Sequence, residues 1–592
     1  MVTTFACAFA EAVRRCLVIC AALAAATACA QSLQFTDATT AAGIGFVHTL
    51  NGNERYSRNF GVGAAAADYD RDGRVDVFIP QAFGFPDALY HNDGGVFSEV
   101  AAAAGVASLK EARAAIWIDV DNDGWLDLFV ANDPDAPAGS NVTDPNTTSN
   151  LLYLNNHDGT FSDISAAAGI SRMPNPEPTQ TTGGLAAADV NNDGFVDVYV
   201  SCWQNQNALF INNGDGTFRE EGVAAGVHEP GFSWQPMFYD VDRDGWVDLL
   251  LNMDFNANRL YVNQHDGRFV DMASAAGFAS AFNEMGMTLG DYDNDGEIDV
   301  LATNVETPFP NANPLNKWTV LLQNASTPGA PAFVERGLAA GVGRTGWGWG
   351  CTFFDADNDG RLDLAATNGF HFPYDSDPSR LFRNIGGGAF SEVSAAAGFT
   401  NTAQGRGLIA LDYDSDGDLD LLETNYNANA ILHRNETPQT GNWMDVELVG
   451  SGAGGRYAVG AEVTLMAQGV EHVQLVTAGV SFLSHEPYLQ HVGLGAAGGV
   501  DFVSVRWPDG ARETWSGPFA VNHALRIARG AGILPPGDAD ADGDTDIDDL
   551  TTFVDCMRGP DAGLAPGCGV FNSDHDADID VLDFARISLA RP

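Results

Sequence analysis

The chain is short of positive charge. Its 592 residues hold 29 Lys and Arg against 79 Asp and Glu, a net charge of −50. Binding nucleic acid requires a basic patch that displaces counterions from phosphate, and docking on an anionic membrane requires the same, so neither partner is expected. Cysteine is scarce: eight in all and no C-x-x-C pair, so a thiolate zinc site or a thioredoxin-like centre is not expected either. Beyond residue 30 no apolar run is long enough to span a membrane. The motifs G-x-S-x-G and H-E-x-x-H and the phosphate-binding glycine loop are missing too.

What the chain has is Asp, in a fixed pattern. The phrase D-x-[DN]-x-D-G-x-x-D occurs seven times, beginning at Asp68, Asp119, Asp189, Asp240, Asp291, Asp355 and Asp412, at intervals of 51, 70, 51, 51, 64 and 57 residues. Carboxylates on alternate residues of a tight loop can turn inward onto one hard cation, and Gly at the sixth position permits the wrap. Oxygen-only donors favour calcium over zinc or copper. The candidate ligands of the first three loops are Asp68, Asp70, Asp72 and Asp76; Asp119, Asp121, Asp123 and Asp127; and Asp189, Asn191, Asp193 and Asp197. Those of the next two are Asp240, Asp242, Asp244 and Asp248, then Asp291, Asp293, Asp295 and Asp299. The last two offer Asp355, Asp357, Asp359 and Asp363, then Asp412, Asp414, Asp416 and Asp420. Seven such loops imply about seven calcium ions and an array architecture.

Each repeat has the same layout. An apolar, Gly-rich strand enters the loop and an apolar strand leaves it. A strand with a Leu-aromatic start follows (Leu89-Tyr90, Leu152-Tyr153), then an Asn/Gly/Asp hairpin and a Phe-led strand ending in an Ala-rich phrase. Four short strands per unit predict a propeller blade. The Phe-led strand is missing after the seventh loop, and an extra one stands at Phe35. The fold expected for residues 31–437 is therefore an all-β, seven-bladed β-propeller closed by its N-terminal strand, which removes unpaired edges. The repeat resembles the FG-GAP/VCBS family, which includes integrin α heads. That resemblance implies structural calcium in the seven loops, with the seventh residue's carbonyl as a further ligand.

Residues 1–30 read as a secretory signal peptide: Arg14 and Arg15, an apolar run from Cys16 to Ala28, and a small-x-small site before Gln31. A secreted, periplasmic or cell-surface location follows. Of the remaining cysteines, Cys556 and Cys568 are close enough in sequence for a disulfide, and Cys202 and Cys351 read as buried thiols.

Residues 438–530 lack the acidic phrase and alternate apolar with polar, as a small β domain does. The phrases VGAEVTL, TAGVSFLSHEP, HVGLG and VSVRWPDG resemble the ASPIC/UnbV domain of the cartilage acidic protein family. His485, Glu486 and His491 read as residues that fix a loop, and a metal or acid–base role is the alternative. A linker at 531–537 leads to two acidic loops of another grammar in a short α-helical tail, 538–592. One offers Asp538, Asp540, Asp542, Asp546 and Asp549; the other Asn572, Asp574, Asp576, Asp580 and Asp583. These are EF-hand-like sets for up to two more calcium ions. The pair resembles a dockerin, which implies a cohesin partner. The other reading is a calcium-stabilised tail without one.

Strand order places the seven loops on one face and the long insertions on the other, where binding residues are usually carried. Asn132, Asn304, Asn368 and Asn425, at the ends of second strands, either cap turns or form a polar ring for a protein or glycan. Trp203 and Phe370 are the aromatics expected beside it. The function expected is a non-catalytic adhesion or ligand-binding module, tethered through its tail. The alternative is a polysaccharide-active enzyme, a hydrolase or lyase, using Glu284, Glu306 or Glu423 on that face or in the central channel.

Overall fold

The computed structural model describes residues 32–50, 60–133, 150–170, 173, 181–306, 318–439, 441–535, 556 and 566–571. The leader at 1–30 and both acidic loops of the tail lie outside these residues.

The acidic phrase sits between the first and second strands of each unit. In the first unit the strands are Ala65–Ala67, Asp76–Ile79, Ala88–Asn92 and Phe97–Glu99, hydrogen-bonded in that order. Among the described residues seven four-stranded units follow this plan. In the last, Gly405–Leu411, Asp420–Asn425 and Ile431–Asn435 are completed by Phe35–Asp37, with Phe35 opposite Asn435. The fold is a β-propeller. Its first strands pack against one another in sequence order, and Gly405–Leu411 packs against Ala65–Ala67.

Adjacent units lock at the rim. The Phe-led strands are only three residues long, and the Ala-rich phrase after each is one helical turn, such as Ala101–Ala104, rather than more strand. Alanine has the highest helix propensity, and the turn stops at a glycine with left-handed φ. That glycine presses on the next unit: a Cβ at Gly43 would lie 2.6 Å from the Phe97 carbonyl oxygen, and one at Gly398 would lie 2.7 Å from that of Phe35. On the face away from the loops, Asp197–Gln206 and Pro230–Tyr239 run to ten residues each and pair across the third and fourth units.

Residues 442–533 form two four-stranded sheets, with Val446, Leu448, Leu465 and Val503 in the core between them. Cys202 and Cys351 are buried thiols, and Cys556 is bonded to Cys568. No helix among the described residues is long and apolar enough to cross a membrane.

Candidate metal centres and the face that covers them

Each acidic loop is built the same way. The first Asp accepts two backbone N–H groups, from the fifth residue at 2.9–3.2 Å and the sixth-position glycine at 2.7–3.0 Å. The fifth Asp accepts the N–H of the seventh residue, as in Trp125 to Asp123 at 2.8 Å. These bonds curl the chain and aim the remaining oxygens at a common point. Carboxylate oxygens of Asp68, Asp70 and Asp76 approach within 4.8 Å of one another, as do those of Asp119, Asp121 and Asp127, of Asp240, Asp242 and Asp248, and of Asp291, Asp293 and Asp295.

The third position tests whether a cation fits. Asp70, Asp242, Asp293, Asp357 and Asp414 each hold one buried carboxylate oxygen with no hydrogen-bond partner. A buried oxygen without a donor is costly, and five at one position of one motif need a common explanation. A hard divalent cation would supply it, drawing the inward oxygens together as ligands. Burial pushes Asp119, Asp291, Asp355 and Asp412 up to about 7, and Asp299 up to about 9. Asp76, Asp127, Asp197, Asp248, Asp363 and Asp420, at the ninth position, are pushed well above the ordinary carboxylate range, again first by burial. Carboxylates so desolvated need a positive partner to stay charged.

Three features of these loops escaped the sequence reading. The third strand of each unit ends in an Asn: Asn92, Asn155, Asn212, Asn263, Asn324, Asn384 and Asn435. Its N–H donates to the ninth-position Asp at 2.7–2.9 Å. In six units its side-chain amide also donates to a carbonyl in the preceding unit's loop, as Asn263 does to Val190 at 2.9 Å. The second feature is the fourth loop residue, which takes a left-handed φ of 54–61° in all seven loops without being glycine. Asn122, Asn192, Arg243, Asn294 and Asn358 reach from there to the sixth-position carbonyl of the next loop, at 2.8–3.1 Å. The first signal stands in the sequence as a column of Asn, the second as four Asn among seven positions. The third is a polar or basic side chain over the outer carboxylates: His91 lies 3.1 Å from Asp70, Arg434 2.9 Å from Asp414, and Gln323 donates to Asp293 at 2.8 Å.

The second domain lies on this face, which its sequence gave no reason to expect. Arg506 donates to Asp240 in the fourth loop, and Gly454 N–H donates to Asp189 in the third at 3.3 Å. Tyr457 hydroxyl donates to the Gly124 carbonyl at 3.0 Å, and Gly495 N–H to the Asn358 carbonyl at 2.8 Å. Trp443 covers Gly417, and Glu471 lies beside Gly296. The first loop is covered by the tail instead: Gly567 N–H donates to Asp70 carbonyl at 2.5 Å and Gly569 N–H to Arg71 carbonyl at 2.8 Å.

From this cover, residues 478–488 enter the central channel. First strands of a ring expose an unpaired inner edge, and this segment pairs with three of them: Ala478 with Ala187, Ser481 with Met287, His485 with Ala65. Individual hydrogen bonds from the segment reach the other four. Leu483 N–H donates to Gln235 at 3.1 Å, and the Tyr488 hydroxyl donates to the Trp117 carbonyl at 2.6 Å. Glu486, pushed up to about 7 by burial, accepts from the Thr352 hydroxyl at 2.6 Å and Ala410 N–H at 2.9 Å. The apolar tip, Phe482, packs on Trp234 and Trp349 at 5.3 and 5.0 Å between ring centroids. His485 and Glu486 thus belong to a plug. Burial lowers His485 to about 3, which keeps it neutral. His491 sits between Asp445 at 2.8 Å and Asn358 at 2.7 Å, joining the two domains.

The opposite mouth is filled as well. Phe60 lies among Trp203, Trp234, Trp349 and Phe370 at 4.9–6.4 Å, so Trp203 and Phe370 are packing residues and not an open platform. Asn132, Asn304, Asn368 and Asn425 are buried. Asn368 donates to the Pro378 carbonyl and Asn425 to the Asn429 carbonyl, both at 2.8 Å, which is turn capping and not an exposed ring. Of the catalytic candidates, Glu284 is buried and hydrogen-bonded to Ser280 and Asn258, and Glu423 is buried against Ser379, Asn401 and His433. Glu306 pairs with Arg344 at 2.6 Å. No two of these three form an open carboxylate pair, and the channel that would have housed them is packed.

Sequence comparison agrees with this architecture. Residues 68–130, 119–200, 189–251 and 240–302 match the FG-GAP-like repeat family, and residues 450–533 match the ASPIC and UnbV family. The chain is an FG-GAP-like repeat protein with a C-terminal ASPIC/UnbV domain. Its homologues include cartilage acidic protein 1 of Homo sapiens, 25% identical over 494 residues covering 79% of this chain and 63% of that protein. The Mus musculus protein of the same name is 25% identical over 473 residues, 76% of this chain and 61% of that one. The chain thus spans about three-fifths of the length of these curated relatives. Among solved structures, a BBS1N chain in complex with ARL6DN superposes with a TM-score of 0.39 at 11% identity, covering 69% of this chain and 98% of that one.

Proposed function

We propose that the protein is an exported, calcium-loaded, non-catalytic binding module whose ligand meets the face opposite the metal loops. One observation carries this reading: the loop face and both ends of the channel are occupied by the chain's own side chains. Recognition then falls to the far face, where Phe372 is 89% exposed and Phe255 is 65% exposed. Phe255 stands edge-on to Phe232 at 5.4 Å, and Phe372 follows Phe370 and His371 on the loop after Asn368. Exposed aromatic rings on loops of a rigid scaffold suit stacking on a glycan or anchoring a protein. The orphaned third-position oxygens support the calcium assignment.

The test takes the full chain with calcium through a glycan array and a calcium-dependent pull-down, beside Phe255→Ala and Phe372→Ala. Binding that disappears in either variant at an unchanged melting temperature supports the reading. Binding indifferent to both, or release of reducing ends from a glycan, overturns it.

A further inference from the structure

The cover touches the loops at the residues whose backbone the wrap determines. In the fourth and third loops it holds the first-position carboxylates Asp240 and Asp189, through Arg506 and Gly454. In the second it holds the left-handed residue and the glycine: Arg456 N–H donates to Asn122 at 3.2 Å and Tyr457 to the Gly124 carbonyl. In the sixth it holds both sides of Asn358, through His491 and Gly495. In the first, the tail segment holds the carbonyls of Asp70 and Arg71, and a Cβ at Gly567 would lie 3.2 Å from the Trp125 ring. These contacts require each loop to keep its curl. Without a cation the curl crowds three or four carboxylates onto one turn, and their repulsion opens it.

We infer that docking of the ASPIC/UnbV domain, with its plug, depends on the metal state of the loops: calcium holds the cover down and the plug in, and its loss releases both before the blades unfold. The inference rests on the calcium reading above. The plug is suited to release. It pairs with the blades through three isolated bridges and not a continuous ladder. Ser481 and Leu483 hold left-handed φ values of 62° and 59°, a conformation that persists only while surrounding contacts impose it. The blades keep full four-stranded ladders, and their rim contacts involve no metal ligand. Linkage makes the coupling reciprocal: the factor by which calcium tightens docking is the factor by which docking tightens calcium binding.

Hydrogen exchange on the full chain, read along a calcium titration with calorimetry in parallel, tests this. Amides of Ser481, Leu483 and His485 are expected to exchange about tenfold faster or more once calcium is removed. Third-strand amides such as Phe210 and Leu322 should remain protected at that same calcium concentration. Phe482→Ala, which touches no metal loop, should move the plug's release to several-fold higher calcium and weaken calcium binding. Plug amides that stay protected after calorimetry shows calcium has left overturn the inference and leave the calcium reading standing. Plug and blade amides lost together also overturn it. No calorimetric calcium binding at all removes both.

Discussion

The two faces of the ring come from the same repeat and follow opposite rules. On the loop face every unit repeats the same curl, down to the Asn that ends the third strand and the left-handed residue at position four. On the other face each unit differs: ten-residue strands over the third and fourth, an aromatic loop over the sixth, and long insertions after Asn132 in the second and after Ala302 in the fifth. Uniformity marks the face whose work is to close and be covered. Variety marks the face where the units of this one ring are free to differ.

If that contrast is right, damage to the loop face costs stability and damage to the far face does not. The largest effect should come from chelation. One site held at a hundred times its Kd stabilises the native state by about 2.7 kcal/mol. At roughly 2–4 °C per kcal/mol for large domains, losing several sites lowers Tm by more than about 10 °C, read by calorimetry. An unchanged melting curve in excess chelator would sink the metal assignment.

Next is truncation of the plug tip. Phe482→Ala should cost about 3–5 kcal/mol, the range for a buried Phe, read by denaturant titration. A smaller loss would mean the channel collapses around the gap.

The metal-free protein should also carry its own pH signature. Asp119, Asp291, Asp355 and Asp412 sit near 7 when folded, well above the unfolded value. The folded state therefore binds their protons more tightly. That stability is fully present below about pH 4 and is lost as pH rises through 7. In chelator, Tm should be higher at pH 5 than at pH 8; saturating calcium should remove or reverse this trend. A chelated protein equally stable at both values would contradict the burial of these groups.

Smaller still is the loss of one bracing Asn. Asn263→Ala removes amide bonds to the Val190 and Val247 carbonyls, for about 1–3 kcal/mol. Least of all, Phe372→Ala should leave stability within about 0.5 kcal/mol while ligand binding is lost.

The loop face was largely legible because its chemistry is local. Four carboxylates and a glycine within nine residues specify their own turn, and the displaced Phe35 strand announced where it pairs. The Asn residues at the third strand and the fourth loop position were equally visible, but their partners lie in the neighbouring unit, so spacing alone gave them no role. The plug could not be read at all. TAGVSFLSHEP is apolar enough to belong to its own domain's core, and only the ring's unpaired inner edges, hundreds of residues away in the chain, show what it is for. The second-strand Asn residues show the reverse limit: a recurring polar residue at a strand end looks alike whether it faces solvent or caps a buried turn, and the loops above it decide.

The pairing of Phe35–Asp37 with the last unit also sets a timetable. Leu432 N–H donates to the Thr39 hydroxyl oxygen across 393 residues of chain. Contacts that distant form slowly, and the segment that makes them emerges from the ribosome before the strands it pairs with. The opening strand must therefore wait, unpartnered, while every other blade is synthesised. Among the blade strands, the earliest made is the last placed.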